Sequence, residues 1–125
     1  MNSKKILLVE DDQDLQEIMS TKLRNAGFEV KQAETGQLAL DYLAKELPDF
    51  VLLDIMLPDI DGLTILNEIA NNPKLKDLPV IILSNVAETG SFEQAAAIGK
   101  YEYLIKAKTD LNDLVRKIKS RLSLD

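Results

Sequence analysis

The sequence predicts a doubly wound α/β domain: a five-stranded parallel sheet in the order 2-1-3-4-5, with helices on both faces. Three observations predict it. Short apolar runs without polar alternation (KILLV, FVLL, PVIIL) recur along the chain, as strands buried on both faces do. Segments with apolar residues three and four apart lie between them, as amphipathic helices require. The two patterns alternate strictly. Such alternation implies a parallel sheet, and right-handed crossovers leave few strand orders, of which 2-1-3-4-5 is a common one.

The first strand is Lys5 to Val9, followed at once by Glu10, Asp11 and Asp12. Asp12 is placed to cap a helix with Leu15, Ile18, Met19 and Leu23 on its inward stripe, and Asp14 and Glu17 suit the positive end of its dipole. Gly27 is a natural stop. Phe28 to Lys31 alternates apolar and polar residues, as a less buried strand nearer the edge does. Thr35-Gly36 opens a second helix with Leu38, Ala39, Tyr42 and Leu43 inward, and Pro48 closes that unit.

Phe50 to Leu53 is the central strand, ending abruptly on Asp54. A turn-rich segment with Pro58, Asp59, Asp61 and Gly62 leads into a third helix carrying Leu63, Leu66, Ile69 and Ala70, which fails at Asn71-Asn72-Pro73. Pro79 to Leu83 is a buried strand ending on Ser84. Between Val86 and Gly99 only Phe92 to Ile98 has a firm helical pattern, with Gly90 interrupting. Glu102 to Ile105 is a short strand ending on Lys106. Thr109 is expected to cap a last helix with Leu111, Leu114, Val115, Ile118 and Leu122 inward. Its acids (Asp110, Asp113) lie early and its bases (Lys117, Lys119, Arg121) late, which complements the dipole.

Residues 1–125 suffice for one domain with one core. The last helix ends within a few residues of Asp125, so the expectation is a stand-alone domain with no room for an output domain. The chain has no Cys and no His, which excludes disulfides, thiolate chemistry, the commonest zinc ligand and a phosphohistidine of its own. The net charge of −6 argues against direct nucleic-acid binding. No apolar run approaches membrane-spanning length, and the amino terminus lacks a signal-peptide core, so the expected location is the cytoplasm, with no membrane partner.

In a parallel sheet all strand ends of one kind share an edge. Glu10-Asp11, Asp54, Ser84 and Lys106 are therefore expected in one cup: three carboxylates, a hydroxyl and an ammonium. Carboxylates this close repel unless cations join them. Lys106 is one cation. Oxygen-only ligands suit Mg²⁺ as another. Such a set fits phosphoryl chemistry, with a carboxylate as nucleophile and Ser84 and Lys106 holding phosphoryl oxygens.

With ILLVEDD at the first strand, VLLDIMLPDIDG at the third, VIILS at the fourth and YLIK at the fifth, the chain resembles a response-regulator receiver domain of the CheY-like, flavodoxin-like (βα)5 fold along essentially its whole length. The resemblance implies a phosphoacceptor of a two-component or phosphorelay signalling system. Asp54 is then the phosphoacceptor, charged from the phosphohistidine of a sensor histidine kinase or phosphotransfer protein. Asp11, Asp54 and the backbone carbonyl of Met56 ligate Mg²⁺, and Glu10 acts mainly through water. Ser84 is the switch hydroxyl, Lys106 pairs with the phosphoryl group, and Tyr103 is the aromatic switch. The output is a changed surface on the fourth helix, fifth strand and fifth helix, including Lys100, Tyr101 and Glu102, which binds an unidentified downstream protein or a second copy of the chain. Such a domain is no enzyme beyond its own phosphorylation and dephosphorylation.

Four positions depart from the family pattern. Ala107 stands where Pro usually follows the lysine in a cis bond. A non-proline cis bond costs about 3 kcal/mol, so this bond is expected to be trans, or else a cis form held by strain, with the Lys106–Thr109 loop locally altered. Asn85 is larger than the usual residue after the switch hydroxyl. Met56 and Val86, which flank the phosphoryl site, are both apolar and unable to orient water, so the acyl phosphate is expected to hydrolyse slowly. Three other functions compete. A Mg²⁺-dependent phosphohydrolase would want an acid where Met56 stands. A pseudo-receiver interaction module would not need the full set of competent residues. A flavodoxin-like cofactor binder would be repelled at Glu10-Asp11-Asp12.

Overall fold

The computed structural model describes residues 3–84, 89–99 and 101–124. Its elements alternate as expected: β1 (Lys5–Val9), α1 (Gln13–Asn25), β2 (Glu29–Ala33), α2 (Gly36–Lys45), β3 (Phe50–Leu53), α3 (Gly62–Asn71), β4 (Val80–Ser84), α4 (Thr89–Ile98), β5 (Glu102–Ile105) and α5 (Leu111–Arg121). The five strands form one parallel sheet in the order β2-β1-β3-β4-β5.

The apolar runs are what bury the central strands. Every residue of β3 and β4 is buried, and alternate residues face opposite layers. Leu7, Val9, Val51, Leu53, Val80 and Ile82 pack with Ala39, Tyr42 and Leu43 of α2, Ile65, Leu66 and Ile69 of α3, and Ala95 of α4. Ile6, Leu8, Phe50, Leu52, Ile81 and Leu83 pack with Met19 and Leu23 of α1 and Leu114 and Ile118 of α5. β2 keeps the half-exposed pattern of an edge strand.

The helix ends follow local chemistry. Asp12 accepts the Leu15 N–H at 3.1 Å, and Thr35 accepts that of Leu38. Gly27, with φ of 99°, stops α1. Its N–H reaches the Arg24 carbonyl and the Phe28 N–H that of Leu23, a pairing that needs a left-handed residue between them. α3 ends at Asn71 and is capped by Asn72. α4 begins at Thr89 and runs through Gly90 rather than breaking there.

The inward faces differ in places from the expected stripes. On α1, Gln16, Met19, Ser20 and Leu23 point inward, whereas Ile18 is 57% exposed. The spacing 16, 19, 20, 23 is the ideal stripe, and hydrogen bonds satisfy its two polar members. On α2, Leu38 is exposed and Gly36 takes the inward position of the first turn. On α3, Ile65 is buried, while Leu63 and Ala70 are half-buried. On α5, Leu114 and Ile118 are buried, and Leu111, Val115 and Leu122 lie at the margin. The cap of α5 is Asp110, which accepts the Asn112 N–H at 2.7 Å, and not Thr109. The Thr109 hydroxyl instead donates to the Ile105 carbonyl, closing the 3-10 turn Lys106–Lys108. No peptide bond among the described residues is cis, so Lys106–Ala107 is trans.

No helix among the described residues is long and apolar enough to cross a membrane.

Candidate phosphoacceptor site

Strand register brings the site together. Val9 pairs with Leu53, and the Asp54 N–H donates to the Val9 carbonyl, so Glu10 and Asp54 leave adjacent strands side by side. Leu53 pairs with Ile82, and Ser84 pairs with Ile105, one residue before Lys106. All four strands therefore deliver their polar ends to one rim.

At that rim the Lys106 Nζ lies 2.8 Å from Asp54 Oδ2 and also pairs with Glu10 Oε1. The other oxygen of each carboxylate is held by backbone: the Met56 N–H donates to Asp54 Oδ1 at 3.0 Å and the Asp12 N–H to Glu10 Oε2 at 3.1 Å. Asp54 is buried, with 5% of its surface exposed, and Asp11 beside it is exposed. Glu10, Asp11 and Asp54 each offer a carboxylate oxygen within 4.8 Å of the others. An all-oxygen set of this kind fits a hard divalent cation.

Burial pushes the Glu10 carboxyl above its usual range. The Lys106 ammonium and the Asp12 N–H pull it back, and the Asp54 charge adds to the rise. For Lys106, burial works against the charged form, yet the hydrogen bonds to Asp54 and Glu10 outweigh it and raise its pKa.

Ser84 ends β4 fully buried. Tyr103 is half-buried, its ring against the layer that holds α2, α3 and α4. Met56 turns its side chain to solvent, 58% exposed. Asn85, Val86 and Lys100 lie outside the described residues.

Three contributors were not anticipated. Gln16 donates to the Glu10 carbonyl at 3.0 Å; its spacing with Met19, Ser20 and Leu23 was the available signal. Asp59 accepts the N–H groups of Gly36 and Gln37 at 2.8 and 2.9 Å, tying the loop after Asp54 to the start of α2. A Cβ on Gly62 would lie 2.5 Å from Ile55 Cα and 2.6 Å from the Asp54 carbonyl oxygen, so only glycine lets α3 approach the loop after Asp54 this closely.

Comparison with known proteins identifies the family. The family model described as the response regulator receiver domain matches residues 6–119. The chain belongs to the response-regulator receiver family. Receiver chains of known structure superpose along nearly its full length. The putative response regulator from Chloroflexus aurantiacus is 32% identical with a TM-score of 0.88, the match covering 98% of this chain and 99% of that one. The Mn²⁺-bound form of response regulator Rcp1 is 30% identical with a TM-score of 0.82, covering 94% and 92%. The regulatory protein VanRc of Enterococcus gallinarum is 33% identical over 120 residues, 96% of this chain and 50% of VanRc. The receiver chain thus spans about half the length of the curated relatives it matches.

Proposed function

We propose that this receiver domain accepts a phosphoryl group on Asp54 from a phosphohistidine of a sensor histidine kinase or phosphotransfer protein in the cytoplasm. One observation carries the reading: a carboxylate held by Lys106 at 2.8 Å stands within a cluster of two further carboxylates at a sheet edge. An Asp54 oxygen attacks phosphorus, the P–N bond to the donor imidazole breaks, and an acyl phosphate forms. The Lys106 ammonium holds an oxygen of the incoming group. Asp11, Asp54 and the Met56 carbonyl would hold Mg²⁺, with Glu10 acting mainly through water. Bound there, the ion neutralises phosphoryl oxygens.

The acyl phosphate biases a two-state equilibrium through Ser84 and Tyr103. Its readout is the α4-β5-α5 surface, where Glu102 bonds Lys117 at 2.7 Å and lies 3.8 Å from Arg121, joining β5 to α5. That surface then binds a downstream protein or a second copy of the chain. Catalysis is confined to the domain's own phosphorylation and dephosphorylation.

The test is incubation with acetyl phosphate and Mg²⁺, read by intact mass, and with beryllofluoride, read by size. One phosphoryl group should be gained by the wild type and none by Asp54→Asn or in EDTA. Metal binding without modification would point to an interaction module. Turnover of phosphate esters would point to a hydrolase.

A further inference from the structure

We propose that Gln16 is a positioning residue for the acidic turn, holding the Glu10 backbone so that Glu10 and Asp11 face a divalent cation together with Asp54. This rests on the metal-dependent reading above.

Gln16 is only 3% exposed, on the inward stripe of a helix whose other contacts include Met19 and Leu23. A buried amide is costly to desolvate, and an apolar residue of similar volume would contribute more to packing there. The amide is instead matched to one acceptor, the Glu10 carbonyl at 3.0 Å. Pairing of β1 with β2 ends at Val9 and Ala33, and the Glu10 N–H takes the Ala33 carbonyl. The Glu10 carbonyl is thus the first to run past the ladder, where the sheet no longer supplies an N–H. A side chain from α1 supplies one.

Glu10's carboxylate is already aimed by Lys106 and the Asp12 N–H. Gln16 fixes the other half of the residue, the peptide unit from which Asp11 departs. Asp11 is exposed, and the direction of its short side chain follows that peptide. A carbonyl free to rotate would let one of the three carboxylates swing away from the other two.

The same helix carries an internal control. Ser20, one turn later, is fully buried and accepts from Gln32 Nε2 at 2.6 Å. Its hydrogen bond joins α1 to β2 rather than to the acidic turn.

The experiment measures Mn²⁺ affinity by electron paramagnetic resonance and melting in EDTA for the wild type, Gln16→Met and Ser20→Ala. Gln16→Met should bind Mn²⁺ about ten-fold more weakly, the low end of what partners of metal ligands contribute. Ser20→Ala should bind like the wild type although it too melts lower. Equal affinity in Gln16→Met and wild type overturns the proposal, as does an equal loss in Ser20→Ala. A wild type that binds no Mn²⁺ overturns the metal reading and this inference with it. If Gln16→Met does not fold, the wild-type side-chain amide resonance of Gln16 decides. It should exchange slowly with solvent and shift on adding Mg²⁺; an unmoved resonance rejects the role.

Discussion

The Lys106 ammonium and the Asp54 carboxylate, 52 residues apart in sequence, meet at 2.8 Å at the edge of the sheet. Lys106 also pairs with Glu10, so one cation stands between two buried acids. Lys106→Met should therefore cost about 3 kcal/mol of stability in EDTA, the scale for removing one partner of a buried ion pair. Added Mg²⁺ should recover part of that loss by restoring positive charge to the site. Urea denaturation in both conditions checks it, and equal losses would mean that the ion does not share the lysine's place.

Asp59 gives a pH prediction. The N–H groups of Gln37 and Gly36 hold its carboxyl below the usual value of 3.8. A depressed folded-state pKa stabilises the protein above 3.8, and that contribution is lost as pH falls through the lower, folded value. Asp59→Asn should accordingly melt below wild type at neutral pH, and the gap should close on acidification below 3.8. A gap independent of pH would show that the charge is irrelevant to this cap.

Gly62→Ala should destabilise by about 2 kcal/mol, because the added methyl meets backbone rather than a flexible side chain. The atoms that must give way are Ile55 Cα and the Asp54 carbonyl, so phosphorylation from acetyl phosphate should slow as well. Chemical denaturation and the rate of mass gain are the two readouts. A stable variant phosphorylated at the wild-type rate would contradict the close approach.

Met56 presents a thioether to solvent beside Asp54, where a polar side chain could orient water. Met56→Asn should shorten the lifetime of the acyl phosphate several-fold, measured by its decay after removal of the donor. A wild-type lifetime as short as that of the variant would refute the expectation of slow hydrolysis.

Much of this architecture was legible because strands buried on both faces must be apolar throughout, so the first polar residue marks their end. Glu10, Asp54 and Ser84 mark the ends of β1, β3 and β4 in this way, whereas Lys106 follows β5, a strand only half-buried along its length. Helix faces were harder, because the reading weighted apolarity alone. Ile18 and Leu38 face solvent, while Gln16 and Ser20 turn inward, where hydrogen bonds satisfy their polar groups. Thr109 and Asp110 both suit a cap, and which one serves is decided by the 3-10 turn that engages the Thr109 hydroxyl. Asp59 left no local trace, since the helix it caps lies 22 and 23 residues earlier in the chain.

On the proposed reading, the pairing of Val9 with Leu53 makes phosphorylation a gauge of strand alignment. Sliding β3 past β1 by a single position would exchange the residues that face the two core layers and carry Asp54 away from Lys106. Incorporation of phosphate could thus score native alignment in chimeras, circular permutants or refolding trials, where total secondary structure would read the same for a slipped sheet.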